Sequence, residues 1–389
     1  MIMCNYKGIT MMMRGAGIVM AVLFSVGLVC AETRRSFKNY EVWPDDQGVH
    51  INAHGGGVLF HEGRYYWFGE HKVAGDAGNQ AQVGVSCYSS ADLYNWKNEG
   101  IALKVVETAG HDIEKGCILE RPKVIFCKKT GKFALFFHLE LKGQGYRAAR
   151  TGIAVADRVT GPYTYVRSVR PTAMKWPVNH ATNDVSEASK HLRRDFAVGQ
   201  MSRDMTLFVD DDAKAYHIFA SEENRTLHLC ALTDDYLDYT GKYLRLRVEC
   251  STEAPALCKY QGRYYLIGSG CTGWNPNPAH SAVATSIWGP WKDTGNPTRG
   301  INPFNQKGPE VTFGGQSTFI LPVHGKPDLF IAMFDIWRPK DAIDGRYVWL
   351  PITFTPEGQF EIHWQSEWTL DAPFKQIKPS GKREEGRLK

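Results

Sequence analysis

Short apolar runs rich in aromatic and β-branched residues recur along the chain, each closed by a tight polar turn, while helical periodicity is close to absent. One arrangement occurs five times: an apolar run, a turn of Gly, Asp or Lys, and an aromatic run. The turns fall at Glu62-Gly63, Lys128 to Gly131, Asp210 to Ala213, Gln261-Gly262 and His324-Gly325. Each hairpin is followed by a second pair of short strands. The first of that pair reads Gly84 to Ser90, Gly152 to Ala156, Leu227 to Leu232, Ser281 to Ser286 and Tyr347 to Ile352. A Gly-, Trp- or Tyr-marked turn comes next in every unit, as at Tyr94-Asn-Trp96 and Gly289-Pro-Trp291. Five units of four strands predict an all-β fold, a five-bladed β-propeller of antiparallel blades, over residues 32–370. Val166 to Ser202 reads as the only long irregular insert, expected to lie over one face.

In a propeller the first strand of each blade lines the central channel, so the residues heading those strands converge. Aligned on the hairpin turns, the heads are His54, Glu120, Asp204, Glu253 and Gln316. Such a polar ring is unfavourable to bury unless the site is wet and working. Three carboxylates with a Gln and a His suit glycoside hydrolysis, in which one acid protonates the leaving oxygen and a second group directs water to the opposite face. For any single head, a hydrogen-bonded channel residue is the simpler reading; the aligned set carries the argument.

Composition changes little in this picture. The net charge of +5 gives no case for nucleic acid or an anionic membrane as partner. Residues 1–31 stand apart: Arg14 precedes the apolar run Ile18 to Val29 and small residues end at Ala31, the pattern of a secretory signal peptide. Secretion or a periplasmic location is therefore expected, with lipoprotein anchoring at Cys30 the lesser alternative and no membrane association after cleavage. Seven of the nine cysteines follow that segment and none forms a Cys-x-x-Cys, so neither a zinc ribbon nor a redox pair is indicated. Residues 371–389 read as a polar, basic tail, and a monomer is expected.

The motifs at the heads resemble glycoside hydrolase family 43. They are Ser90-Ala-Asp-Leu-Tyr-Asn-Trp96, Arg203-Asp-Met-Thr-Leu-Phe-Val-Asp-Asp-Asp212, and Glu253-Ala-Pro255 with Gly262-Arg-Tyr-Tyr-Leu266. The resemblance implies that Glu253 is the general acid and that Asp204 tunes and orients it. The family's usual base, an Asp heading the first blade, is absent: Asn52-Ala-His54-Gly-Gly56 stands there. That absence resembles the branch with exo-β-1,3-galactanases and related galactosidases, which implies that Gln316 holds the attacking water and Glu120 lies beside the sugar. Terminal galactose-type residues of a plant or microbial polysaccharide would then be removed with inversion. A neighbouring branch implies β-galactofuranosidase or α-L-arabinofuranosidase activity instead, and loss of the usual base leaves a non-catalytic sugar-binding propeller as the alternative from another class.

Further sugar contacts are expected from His54, Glu70, Tyr146, Thr272 and Trp274, whereas Trp67 and Tyr65-Tyr66 read as blade core. Glu222-Glu-Asn224 fits a sugar contact or a solvated turn equally well. The His54-Gly-Gly-Gly57 run resembles the oxyanion loop of lipases, but no Gly-x-Ser-x-Gly elbow accompanies it, which excludes a serine esterase of that kind. No cofactor and no metal are expected; some relatives hold a channel calcium, but no dense carboxylate cluster calls for one here.

Overall fold

The computed structural model describes residues 33–374, so the proposed signal segment and residues 375–389 lie outside the described part. Blade I comprises His54–His61, Arg64–Lys72, Gln82–Ser90 and Lys97–Lys104; blade II Ile118–Cys127, Lys132–Glu140, Arg150–Ala156 and Thr164–Val169. Blade III is Met205–Val209, Ala215–Ser221, Thr226–Leu232 and Tyr239–Leu246; blade IV Glu253–Tyr260, Arg263–Ser269, Ala279–Ala284 and Lys292–Gly295. Blade V runs Gln316–Pro322, Phe330–Ile336, Arg346–Phe354 and Phe360–His363, and adds a parallel edge strand, Thr298–Arg299. Among the described residues the only α-helix is Lys190–Arg194. The five-bladed propeller predicted from the turns is the fold.

Strand periodicity explains the core. Successive side chains point to opposite faces of a blade, and each face packs on a different neighbour. Trp67 thus joins Trp349 and Tyr347 of blade V, while Phe68 joins Leu119 and Phe137 of blade II. Similar apolar clusters fill the other gaps between blades. The ring closes without a shared blade: Phe37–Lys38 pairs antiparallel with Glu367–Trp368, and both ends sink into the aromatic cluster between blades V and I. Trp368 is fully buried there, its Nε1 donating to the Trp349 carbonyl at 2.7 Å. Trp368→Ala is expected to destabilise the fold by about 3–5 kcal/mol, against under about 0.5 kcal/mol for Trp274→Ala at the exposed rim, as read by denaturant unfolding.

Two expectations about irregular segments are corrected. Val166 to Val169 belongs to the outer strand of blade II, so the insert begins at Arg170, and it runs against the outer strand of blade III through Val178–Tyr243 and Asn179–Arg245 hydrogen bonds. A second irregular segment, 300–315, precedes the inner strand of blade V, so Val166 to Ser202 is not the only long insert. Of the proposed tail, Asp371 pairs with Lys326 at 3.1 Å and the Pro373 carbonyl accepts from Gln365 at 2.6 Å, so its first residues pack on the propeller. All seven cysteines of the described residues are free.

Candidate active site

The five predicted heads lie at one end of the channel. His54, Glu253 and Gln316 open their strands, Glu120 is the third residue of its strand, and Asp204 immediately precedes its own. Opposite four of them on the second strands stand Glu70, His138, Ser269 and Asp335. Directly paired residues share a face of the sheet, so a second polar ring backs the first. In blades I, II, IV and V the register shifts just past the head. These bulges re-aim the next side chain and are marked by left-handed backbone at Gly55 (φ 61°), Arg121 (φ 55°) and Ala254 (φ 52°).

Four of the heads, Glu120, Asp204, Glu253 and Gln316, line a cavity of about 320 Å³. Glu70, Glu120, Tyr146, Asp204, Glu253, Trp274 and Gln316 all line it, as do Arg121, His138, Asn224 and Trp337. Two of the expected contacts are elsewhere. His54 is buried behind Trp337, with ring centroids 5.5 Å apart, and stacks on Tyr347. Gly345 makes the room: a Cβ there would sit 2.1 Å from His54 Cε1. Burial, then the charge of Lys72, pushes the His54 pKa well below its ordinary value, so it is neutral. Thr272 does not line the cavity; its hydroxyl donates to the Asn275 carbonyl at 2.5 Å and accepts from Asn277 at 2.7 Å, shaping the turn that presents Trp274.

Four carboxylates line the cavity, and three have a cationic partner. Glu70 lies 2.9 Å from Lys72 Nζ and accepts the Arg121 amide at 3.0 Å. Asp204 Oδ2 pairs with Arg121 at 2.8 Å. Glu120 Oε2 lies 2.9 Å from His138 Nδ1, and its Oε1 accepts from the Tyr146 hydroxyl at 2.8 Å. Burial alone would raise the Glu120 pKa, but His138 outweighs it and holds it down at about 2. His138, which burial alone would lower, is held up at about 9 by Glu120 and Glu140.

Glu253 differs. Among the described residues it has no ion-pair partner; a neutral amide, Asn224 Nδ2, donates to its Oε1 at 2.6 Å. Burial and the neighbouring charge of Asp204 therefore push its pKa up to about 7, against the opposing pull of Arg121. Asn224 is delivered by Glu222-Glu223-Asn224, three consecutive residues in the left-handed region (φ 53°, 58° and 62°). That strained turn is anchored from below. The buried Glu222 carboxylate accepts from Arg245 Nε and lies by His228 Nε2, both at 2.7 Å, so Glu222 supports the turn and does not face the cavity.

Gln316 is fixed at both ends of its amide. Its Oε1 accepts from Arg121 Nη2 and from Trp337 Nε1, and its Nε2 donates to Ser269 Oγ at 2.8 Å. Arg and Trp side chains are donors only, so the oxygen must face them. The remaining Nε2 hydrogen is the group Gln316 can offer to a bound water.

Arg121, His138 and Trp337 were not singled out from the sequence, whereas Asn224 was, within Glu222-Glu-Asn224, as a sugar contact or a solvated turn. His138 could not have been found by counting, since the register set at the Lys128 to Gly131 turn puts Leu139 opposite Glu120 and only the bulge brings His138 there. Nor could Arg121, because strict alternation sends the residue after Glu120 to the other face and only the bulge returns it. Glu120, His138 and Asp204 bring possible ligand atoms within 4.8 Å of one another. That donor set does not fit a metal. Both His138 nitrogens face carboxylates at 2.9 Å, leaving a protonated ring with no free lone pair, and Asp204 is already paired with Arg121.

A propeller whose channel mouth gathers an unpaired, proton-holding carboxyl among three charged ones has the equipment of a glycosidase. The Glycosyl hydrolases family 43 profile matches residues 57–331, and the chain belongs to that family. It is a glycoside hydrolase. Among solved structures, a family 43 β-1,3-galactosidase with galactodeoxynojirimycin is 49% identical at a TM-score of 0.81, the match covering 86% of this chain and all of the other. An exo-β-1,3-galactanase from Clostridium thermocellum is 34% identical (TM-score 0.71), covering 85% of this chain and 66% of that one. One from Phanerochaete chrysosporium, solved with galactose, is 31% identical (TM-score 0.71), covering 87% and 69%. No curated protein sequence matches the chain.

Proposed function

We propose that this enzyme removes terminal β-1,3-linked galactose from a galactan, with inversion, and that Glu253 is the general acid. The observation that carries the reading is the contrast among the four cavity carboxylates: only Glu253 lacks a cation, and only Glu253 is pushed up to about 7. It alone can hold a proton near neutrality and give it to the glycosidic oxygen as the C–O bond breaks. Asp204, paired with Arg121, keeps that proton in place by its charge. The developing oxocarbenium ion is stabilised by the charged wall formed by Glu120, Glu70 and Asp204.

Gln316 positions the attacking water through Nε2. It orients and does not act as base, because its oxygen is occupied by donors; the proton the water sheds as it bonds to the anomeric carbon passes to solvent at the cavity mouth. The Tyr146–Glu120–His138–Glu140 chain is a rigid acceptor array for sugar hydroxyls, and Trp274 with Trp337 supplies apolar ring faces at the mouth. The galactose assignment is supported by the galactosidase and galactanases among the relatives. Export through residues 1–31 belongs to the same proposal.

The test is product release from β-1,3-galactan, β-galactofuranosides and arabinofuranosides, with the first-formed anomer read by NMR. Galactose from the galactan, appearing first as the α-anomer, is expected. First appearance of the β-anomer would overturn the mechanism, since retention requires a carboxylate nucleophile in place of the Gln316-held water. Release from furanosides alone would overturn the substrate.

A further inference from the structure

Beside the main cavity lies a smaller one of about 100 Å³, which shares Gly273, Trp274, Gln316 and Trp337 with it. The two differ in charge. Four carboxylates line the main cavity, whereas none lines the smaller one; its charged group is Lys307, set among side-chain amides, a hydroxyl and glycine backbone. Lys307 is half-buried and has no ion-pair partner among the described residues. Other cations around the site are paired: Lys72 with Glu70, Arg121 with Asp204, Arg338 with Asp344. A lysine ammonium with no counter-ion beside it is free to pair with an anion that enters the compartment.

The compartment is also rigidly built. One wall belongs to segment 300–315, where Thr312 (φ 49°) and Phe313 (φ 59°) are held in the left-handed region. The Phe313 carbonyl accepts from Asn302 at 3.2 Å and Asn305 at 2.9 Å, and Thr312 Oγ1 donates to the Asn277 carbonyl at 2.7 Å, tying this wall to the opposite one. Non-glycine residues stay in such conformations where the surroundings over-determine them, a condition typical of ligand clamps. With a third of the main cavity's volume, the compartment has room for a substituent and not for a second sugar ring.

We infer that the smaller cavity receives a compact anionic substituent, a sulfate ester or a carboxylate, carried by the saccharide in the main cavity, with Lys307 as its counter-ion. The inference rests on the functional reading only in taking the main cavity as the sugar site. The enzyme would then accept decorated galactans whose anions the carboxylate-lined cavity would otherwise repel.

The test is calorimetric binding of galactose, its 2-, 4- and 6-sulfates and galacturonic acid to the wild type, Lys307→Ala and Lys307→Arg. At least one anionic sugar is expected to bind about tenfold or more tightly than galactose. That preference should disappear in Lys307→Ala, persist in Lys307→Arg and weaken with salt. The sulfates and the uronic acid distinguish the two sources of the anion. Absence of any anionic preference, or a preference unchanged in Lys307→Ala, would overturn the inference. Because binding is read without turnover, failure to cleave neutral β-1,3-galactobiose counts against the functional reading and leaves this comparison intact.

Discussion

Glu253→Gln is expected to lower kcat on β-1,3-galactobiose by about 10²–10⁴-fold, and to affect an aryl galactoside with a nitrophenolate leaving group far less. A sugar hydroxyl cannot depart as an alkoxide, so losing the acid blocks the step; a nitrophenolate needs no proton. Glutamine keeps the size of the side chain and an oxygen for the Asn224 amide to donate to, so what the substitution removes is the proton. Equal losses on the two substrates would rule out Glu253 as the acid. The pH dependence has a definite sign. Only the protonated form is active, so wild-type kcat/KM should fall as pH rises through about 7. Stability should fall over the same range. The Glu253 carboxyl is raised from 4.5 to about 7, which favours the fold below pH 4.5 and is lost as pH passes 7. Above pH 7 the native state therefore holds a strained carboxylate, and Glu253→Gln should be more stable than wild type there, by at most about 3 kcal/mol, as read by denaturant unfolding.

The fold was legible because every blade repeats one grammar. A turn whose position is fixed by Gly63, Gly131 or Gly262 sets the register of both flanking strands, and the strand period then assigns each side chain to a face. The same register brought Glu120, Asp204, Glu253 and Gln316 to one end of the channel before any coordinates. It failed at two positions. His54 lies behind Trp337, in the room left by Gly345, although its place in the alignment is that of a cavity residue. The bulge after Glu120 brings the Arg121 guanidinium into the centre of the site. The glycines following His54 serve backbone packing: a Cβ on Gly56 would sit 1.9 Å from the Phe68 carbonyl oxygen, and one on Gly69 2.1 Å from the Ala53 carbonyl carbon. Segment 300–315 was invisible for a different reason. Its order depends on Asn302, Asn305 and Thr312 bonding to backbone carbonyls, contacts that carry no period.

Removing Arg121 should disable the enzyme in two ways that can be told apart. Its guanidinium binds Asp204 and the Gln316 oxygen together and lies over Trp337 at 5.4 Å, so one side chain positions the acid's neighbour and the water's holder. Arg121→Met frees the Gln316 amide to rotate, and misplacing a water by about 1 Å is enough for a loss of about 10²-fold in kcat. Gln316→Ala should lose a similar amount, and the double variant little more than either alone, because both act through one water. The electrostatic effect has its own signature. Arg121 opposes the rise of the Glu253 pKa, so without it the alkaline limb of kcat/KM should move to higher pH. A residue that only supported the fold would leave that limb where it is. Arg121→Lys separates the two contributions: the ammonium keeps the charge but not the planar fork that reaches two acceptors at once. It should return the limb towards its wild-type position while kcat stays low. If Arg121→Met lowers kcat and the limb does not move in any variant, Arg121 positions Gln316 without tuning the acid. If Arg121→Met and Gln316→Ala multiply fully in the double variant, the shared water is the wrong account.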